Sequence, residues 1–344
     1  MNRFEWVAPT SLEEAVGQAS ATVADAMLHP PGAPLPDDAV LFKAGGMDLL
    51  DLMKEDLVRP ARIVHVRGIA ELGGVRDEGD AGARLGANVT LAELADHPLI
   101  RERYRALADA ALHTAHPQVR NVATLGGNLA QRPKCWYFRQ ADFHCLRKGG
   151  EACYAIPGEH AYHAVFDNRV CAIVHPSTAA TALVALGAAV ELQGPGEGDR
   201  RSLPLERFFV SSDRDPRREN VLRPGELITA VRLPPLPESA RSAHVKQAER
   251  ESFDWSVADA AVLVELDGAG TCTRAAVVLG AAAPVPWRAA AAEAALVGQT
   301  ITDGTAREAA RRAVADATPL PGNAYKLPML ETVVRRALLQ AVAA

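Results

Sequence analysis

No stretch of this sequence approaches the roughly 20 consecutive apolar residues of a membrane-spanning helix. The best candidate, 179–190, is too short and is interrupted by Thr181 and Gly187. The opening Met1-Asn2-Arg3-Phe4-Glu5-Trp6 lacks the apolar stretch of a signal peptide. No export address is therefore expected in this chain itself, although a partner could carry it across a membrane, and the expected compartment is cytoplasm or periplasm. An excess of basic charge is also missing. Lys plus Arg is 37 against 42 for Asp plus Glu, a formal net charge of −5, which argues against a nucleic-acid binder relying on a broad basic surface. Gly (26) and Pro (23) stand near average usage, so collagen-like and low-complexity classes drop out. There is no internal repeat, no Ser nucleophile elbow, no H-E-x-x-H and no paired metal-binding carboxylates. The dinucleotide fingerprint G-x-G-x-x-G and the Walker A loop are absent as well.

What is present is an ordinary mixture of 48% hydrophobic and 23% charged residues over 344 positions. That length suggests about two domains and a core that needs no staples. Ser11-Leu-Glu-Glu14 has capping-box spacing and predicts a helix through about Ser20. Residues 29–38 read as a loop. A strand at 41–44 runs into Gly45-Gly46 and a helix from Asp48 to Lys54, and a second strand spans 60–66, so residues 1–66 form a small α/β unit. Residues 84–96 pass from strand to capped helix, and 101–113 read as one helix. Regular structure resumes at His175-Pro-Ser with a helix over 179–186 and strands over 188–192 and 221–233. The C-terminal third is Ala-rich. It predicts strands at 261–266 and 275–279, a helix from Trp287 to Val297 closed by Gly298, and a last helix with Leu327, Leu330, Val334, Ala337, Leu338 and Ala341 on one face.

Two Gly-Gly pairs, Gly45-Gly46 and Gly126-Gly127, fall at corresponding points of two α/β units. Glycine lets backbone N–H groups approach a phosphate closely, and a following helix N-terminus favours negative charge. A tight turn is the competing explanation for each pair taken alone. Gly194-Pro-Gly-Glu-Gly198 reads as a hairpin loop, because no helix pattern follows and acidic residues flank it.

Lys43-Ala-Gly-Gly-Met-Asp-Leu-Leu50 resembles the first flavin-pyrophosphate loop of the FAD-binding subunits of the xanthine dehydrogenase and CO dehydrogenase family. Arg120-Asn-Val-Ala-Thr-Leu-Gly-Gly-Asn-Leu129 resembles their second loop, and Lys246-Gln-Ala-Glu-Arg250 is similar to the Lys-containing segment that approaches the flavin. Order and spacing agree over essentially the whole chain. The resemblance implies an α+β protein with a two-subdomain FAD-binding fold of the PCMH/vanillyl-alcohol-oxidase type. Its subdomains would be residues 1–66 and 67–235, followed by a C-terminal α+β domain of the CO dehydrogenase flavoprotein type at 236–344. It also implies that Lys43, Ala44, Gly45, Gly46, Met47, Asp48 and Leu49, with Thr124, Gly126, Gly127 and Asn128, hold the FAD diphosphate and ribityl. Asn121 and Val122 would lie close by, and Lys246 and Ile228 would line the flavin side. Ser177-Thr178 stands where relatives often have Ser-Asp; Thr178 can hydrogen-bond a flavin hydroxyl but supplies no carboxylate. Met47 stands where Thr is common, so a hydroxyl contact to phosphate is lost while backbone contacts survive.

Four of the five cysteines, Cys135, Cys145, Cys153 and Cys171, are separated by 10, 8 and 18 positions, in a block that is aromatic, basic and weakly periodic. Disulfides fit poorly with the missing signal peptide. Zinc usually shows a close C-x₂₋₄-C pair. An iron–sulfur cluster needs four thiolates and tolerates varied spacing. Spacing alone leaves a cluster and its alternatives open. Arg132, Lys134, Arg139, Arg147 and Lys148 crowd the block, and cations favour thiolates. Trp136, Tyr137, Phe138 and Phe143 can shield it from water, or simply pack the loop. Residues 131–172 resemble an insertion of the flavin subunit of the periplasmic aldehyde oxidoreductase type, more closely than the cluster-bearing insertion of 4-hydroxybenzoyl-CoA reductase. The resemblance implies that the four cysteines ligate a [4Fe–4S] cluster. Cys272 reads as structural. His113, His116, His144, His160, His163 and His175 read as ordinary hydrogen-bonded histidines, and Arg250 with Asp254 as a surface ion pair or flavin neighbours.

The implied role is an electron-transfer subunit of a molybdenum-dependent aldehyde oxidoreductase, with no catalytic residue of its own. A molybdenum-cofactor large subunit would oxidise the substrate. A small [2Fe–2S] subunit would pass the electrons to FAD, and an external acceptor would receive them. Alternatives are the flavin subunit of a 4-hydroxybenzoyl-CoA reductase-like enzyme, a freestanding FAD-dependent reductase, and a zinc-stabilised assembly module without flavin.

Overall fold

The computed structural model describes residues 1–196, 198–250 and 252–343. Three sheets organise the described residues. The first is parallel, in the order β1 (Glu5–Val7), β3 (Arg62–His65) and β2 (Val40–Lys43). Successive residues of β3 point to opposite faces, so Ile63 packs with Leu41, Leu49, Leu52 and Met53, whereas Val64 packs with Val66, Ile69 and Leu72. This is why β3 is apolar on both sides. The first helix is shorter than expected. Ser11 caps it by accepting from the Glu14 N–H at 3.1 Å, but it covers only Leu12–Ala15, because Val16 is extended and Gly17 turns with φ +79°.

The second sheet is antiparallel, in the order β4 (Val75–Asp77), β5 (Ala83–Gly86), β8 (Leu227–Leu233), β6 (Ala189–Gln193) and β7 (Arg200–Pro204). The hairpin loop between β6 and β7 sits where the sequence put it, and its Glu197 lies outside the described residues. Helices Leu91–Asp96, Arg105–Leu112 and Thr178–Ala185 share the core of this sheet. Thr90 opens the first of them with a reciprocal capping box to Glu93. The single helix expected over 101–113 is two, broken at Tyr104 (φ −130°, ψ 48°), whose buried hydroxyl donates to the Pro234 carbonyl at 2.9 Å. Every residue of the helix Thr178–Ala185 is buried, which accounts for its small side chains.

The third sheet is antiparallel, in the order β12 (Trp287–Arg288), β11 (Cys272–Gly280), β10 (Ala258–Leu266) and β9 (Ala240–Gln247). It shares a core with helices Ala290–Leu296, Asp303–Ala313 and Lys326–Ala343. Trp287 was expected to open a helix. It pairs with Leu279 instead, and its ring stacks on Phe166 at 4.7 Å, so the helix starts at Ala290. Cys272 is buried at the start of β11 and its thiol donates to the Arg274 carbonyl, in keeping with a structural part. Among the described residues, no helix is long and apolar enough to cross a membrane.

The cysteine block folds as turns with two short helical segments, Trp136–Arg139 and Leu146–Lys148. It is wedged between layers: Phe138 and Cys145 enter the core of the first sheet, and Val165 and Phe166 enter that of the third. Lys326 pins it from the far side. This fully buried ammonium donates to the carbonyls of His163 (2.9 Å) and Ala281 (2.6 Å), and burial lowers its pKa to about 7.

Candidate functional site

The two glycine loops meet. Gly45 lies so close to the second loop that a Cβ there would stand 2.3 Å from the Val122 carbonyl oxygen. Gly46 has φ +80°, a conformation that disfavours any side chain. On the other side, Thr124 caps the short helix Leu125–Leu129 by accepting from the Gly127 N–H at 3.2 Å. A Cβ on Gly126 would press on Ala87 at 3.0 Å. Between the loops and β8 runs a cleft of about 950 Å³, counting its open mouth, lined by Ala44, Gly126, Gly127 and Ile228 with Phe42 and Asn88. That volume is at the upper end for ligand sites, roughly 300–1,000 Å³. A bare glycine backbone facing an open cleft fits a phosphate-bearing ligand.

The remaining residues singled out by sequence divide into those near this cleft and those tied into the frame behind it. The Asn121 carbonyl accepts from Arg67, and Met47 is exposed. Leu49 is core, and the Lys43 ammonium donates to the Ala44 carbonyl and lies 5.3 Å from the Trp6 ring. Burial, with Arg67 nearby, lowers the Lys43 pKa. Ser177 caps the helix Thr178–Ala185 and also donates to Asn128. Thr178 is tied to the frame. Its hydroxyl bonds the Ala110 carbonyl (3.2 Å) and the Thr114 hydroxyl (2.6 Å), inside the frame. Lys246, on β9, donates to the carbonyls of His113 (3.0 Å) and Asp254 (2.6 Å), and its pKa is lowered by burial. Arg250 and Asp254 form the expected ion pair at 3.0 Å.

The four cysteines of the block line one small pocket, with Tyr137, Phe138, Arg147, Tyr154, His163 and Ile173 around them. Backbone N–H groups of Tyr137 and Phe138 favour a thiolate at Cys135, those of Arg147 and Lys148 at Cys145, those of Ala155, Ile156 and Ala172 at Cys153, and that of Ile173 at Cys171. Burial outweighs this at Cys135 and pushes its thiol up to about 11. The Cys171 thiol donates to the Cys153 sulfur, which lowers Cys153 to about 6 and raises Cys171. Two side chains also reach sulfur: Arg147 Nε lies 3.3 Å from Cys171 Sγ, and His163 Nε2 lies 3.2 Å from Cys135 Sγ. Among the described residues, no three His, Cys, Asp or Glu side chains converge with the spacing for a single metal ion.

The family described as the FAD binding domain in molybdopterin dehydrogenase matches residues 2–236, and the CO dehydrogenase flavoprotein C-terminal domain matches residues 243–341. The chain belongs to the FAD-binding subunits of the xanthine and CO dehydrogenase family. It is 36% identical to the aldehyde oxidoreductase FAD-binding subunit PaoB of Escherichia coli over 304 residues, 87% of this chain and 91% of that protein. It is 29% identical to the carbon monoxide dehydrogenase medium chain of Hydrogenophaga pseudoflava over 340 residues, 98% of this chain and 96% of that one. The solved carbon monoxide dehydrogenase from Hydrogenophaga pseudoflava that lacks the Mo-pyranopterin moiety superposes with a TM-score of 0.71, covering 99% of this chain and 98% of that one at 29% identity.

Within this FAD subunit, the basic residues of the cysteine block have roles that the sequence did not separate. Of the five, Arg147 alone donates its side chain to a cysteine sulfur among the described residues. Lys134 and Arg139 instead hold Asp48 of the first glycine loop, which also accepts from the Arg132 N–H at 2.8 Å. Asp48 precedes the helix Leu49–Lys54 yet makes no capping bond to it. Its carboxylate is a latch between loop and insertion. Burial alone would raise its pKa; the charges of Lys134 and Arg139 and the Arg132 N–H more than offset that and hold it below the ordinary value. The stabilisation is complete above the usual carboxylate pKa of 3.8 and is lost as pH falls below it. Asp48→Asn is therefore expected to lower the unfolding free energy by about 1.5–3 kcal/mol at pH 7, the scale of hydrogen bonds to charged groups. Urea unfolding would read this loss, which should shrink when the titration is repeated near pH 3.

Proposed function

We propose that this chain is the FAD- and [4Fe–4S]-containing electron-transfer subunit of a molybdenum-dependent aldehyde oxidoreductase. It would take electrons from the iron–sulfur centres of a small [2Fe–2S] partner and deliver them to an external acceptor. The substrate would be oxidised on a molybdenum-cofactor large subunit. Aldehyde as the substrate class is supported by the 36% identity with a protein named as an aldehyde oxidoreductase subunit. The compartment is cytoplasm, or periplasm if a partner exports the folded assembly.

The observation that carries the cluster is charge. Buried Arg147 lines the cysteine pocket and buried Lys148 faces Cys145 and Cys135, while buried Arg132 lines the neighbouring cleft. Among the described residues, Glu219 is the only carboxylate within ion-pair distance of their side chains, at 3.0 Å from Arg132 and 2.6 Å from Arg147. At the pocket itself Arg147 shares its carboxylate with Arg132 and Lys148 has none, so positive charge is left in excess, a costly arrangement unless an anionic group occupies the pocket. Four thiolates around a [4Fe–4S] core supply such a group, and backbone N–H groups directed at each sulfur are the donors it favours. A cluster spreads its thiolates over four separate irons, so the single-ion spacing is not required of them.

On the flavin side, Gly45, Gly46, Gly126 and Gly127 would present backbone to the FAD diphosphate, with Ala44, Met47 and Asn121 beside them. Val122 and Thr124 would shape that cradle, Asp48 and Leu49 would anchor its first loop, and Asn128, Ser177 and Thr178 would brace its second. Lys43, Ile228 and Lys246 complete the proposed set. Bound FAD supplies two-electron storage that can be emptied in single steps. The protein's task is to position the ring and govern access to it.

Cofactor analysis of the anaerobically purified protein tests this reading. About one FAD and four iron per chain are expected, and Cys135→Ser, Cys145→Ser, Cys153→Ser or Cys171→Ser should each lower the iron content. FAD without iron, even after reconstitution with iron and sulfide, would reject the cluster. Zinc without flavin would reject the whole proposal.

A further inference from the structure

Two side-chain N–H groups point at two different cysteine sulfurs, and neither has an obvious second purpose. Each nitrogen of the Arg147 guanidinium has a partner: Nε faces Cys171 Sγ at 3.3 Å, one Nη donates to Glu219 at 2.6 Å, and the other to Ser212 at 3.0 Å. Its plane is thereby locked, and the Nε–H is aimed at sulfur. The His163 ring is placed from its backbone, because the His163 carbonyl accepts from Lys326 (2.9 Å) and Asn323 (3.1 Å), both buried. Trp136 packs edge-on against the ring at 5.1 Å. Nε2 lies 3.2 Å from Cys135 Sγ, while Nδ1 is buried with no partner among the described residues. A neutral imidazole has one N–H. Placed at Nε2 it bonds sulfur; placed at Nδ1 it would be a buried donor left unpaired.

We propose that Arg147 and His163 are positioning residues that raise the reduction potential of the cluster, each by donating one N–H to a ligand sulfur, Cys171 and Cys135 respectively. The inference rests on the cluster reading above and goes beyond it, since it makes the cluster a centre tuned to accept electrons rather than a structural staple. Reduction adds one electron to the cluster and makes or breaks no bond. The N–H groups stabilise the more negative, reduced charge on the sulfurs, and hydrogen bonds to sulfur are one of the factors that set cluster potentials.

The test is a redox titration of the purified full-length subunit with its partners, using dithionite as reductant through mediator dyes, with the [4Fe–4S] signal followed by electron paramagnetic resonance. His163→Leu should keep its iron and become at least tenfold harder to reduce, a shift of about 59 mV to lower potential for a one-electron couple. His163→Gln, which keeps an N–H of similar reach, should recover most of that shift. A purely structural role for the ring would not be rescued by the glutamine. Arg147→Lys keeps the positive charge but loses the fixed Nε–H, and it should move the potential in the same direction as His163→Leu. Variants with full iron and an unchanged potential would overturn the inference and leave the cluster standing. Wild-type protein with no iron after reconstitution would overturn the cluster reading itself.

Discussion

Gly45→Ala is expected to cut FAD affinity at least tenfold, because it drives the two glycine loops apart. A Cβ at this position would stand 2.3 Å from the Val122 carbonyl oxygen, 3.1 Å from the Val122 carbonyl carbon and 3.3 Å from Ala123 Cα. All three atoms are backbone, so no side chain can rotate away. Relief requires a shift of the whole 121–123 segment, which leads into the Thr124 cap and the helix that carries Gly126 and Gly127. Overpacking of this kind typically costs about 1–3 kcal/mol, and a tenfold loss of affinity corresponds to about 1.4 kcal/mol. The cleft is built from both loops, so the strain falls on the bound state as well as on the fold. FAD retained per chain after gel filtration, with a fluorescence titration of the stripped protein, reads the effect. Gly68→Ala is the control: none of the described residues lies within 4 Å of a Cβ there, and its φ is not positive, so FAD should be retained. A Gly45→Ala protein that kept wild-type FAD affinity would show that contact between the loops does not shape the site.

What could be read from the sequence was local or carried by the resemblance. The Ser11 cap and the capped helix within 84–96, opened by Thr90, were both legible, because a hydroxyl three residues before an N–H reaches it whatever the rest of the chain does. The glycine pairs and the cysteine spacing were legible for the same reason, being short patterns with few physical uses. The failures occur where a distant partner decides. Tyr104 interrupts a helix whose periodicity runs on, since its hydroxyl is drawn to the Pro234 carbonyl, 130 positions away. Trp287 leaves its helical pattern to pair with Leu279 and stack on Phe166. Asp48, read as the start of a helix and a residue of the first glycine loop, also serves as a latch for side chains 86 and 91 positions later. His163 and Lys326 carried no local signal. One lies in an aperiodic block, and the other opens an amphipathic helix where a lysine would ordinarily face water, yet it is fully buried.

Glu219 was equally silent, lying in a polar run of arginines and aspartates, and its removal is expected to have the largest effect on stability. Its carboxylate touches two buried guanidiniums that enter from segments 87 and 72 positions away. Breaking a buried ion pair by removing one partner costs about 3–5 kcal/mol, since the surviving charge is left uncompensated. Glu219→Gln keeps the shape of the side chain and leaves two such charges, so the upper part of that range is expected in iron-free protein, read as a lower urea midpoint. Adding Arg132→Met should recover part of the loss, because one uncompensated cation is removed with it, and the double-mutant cycle gives the coupling directly. Iron should change the size of the effect. An anionic group held by the four cysteines faces Arg147 and offsets the charge that Glu219 no longer balances, so the loss in the loaded subunit should be smaller than in the iron-free one. Equal losses in both states would mean that the buried guanidiniums do not answer to the charge of the cysteine pocket, and the electrostatic case for an anion there would fall with that result.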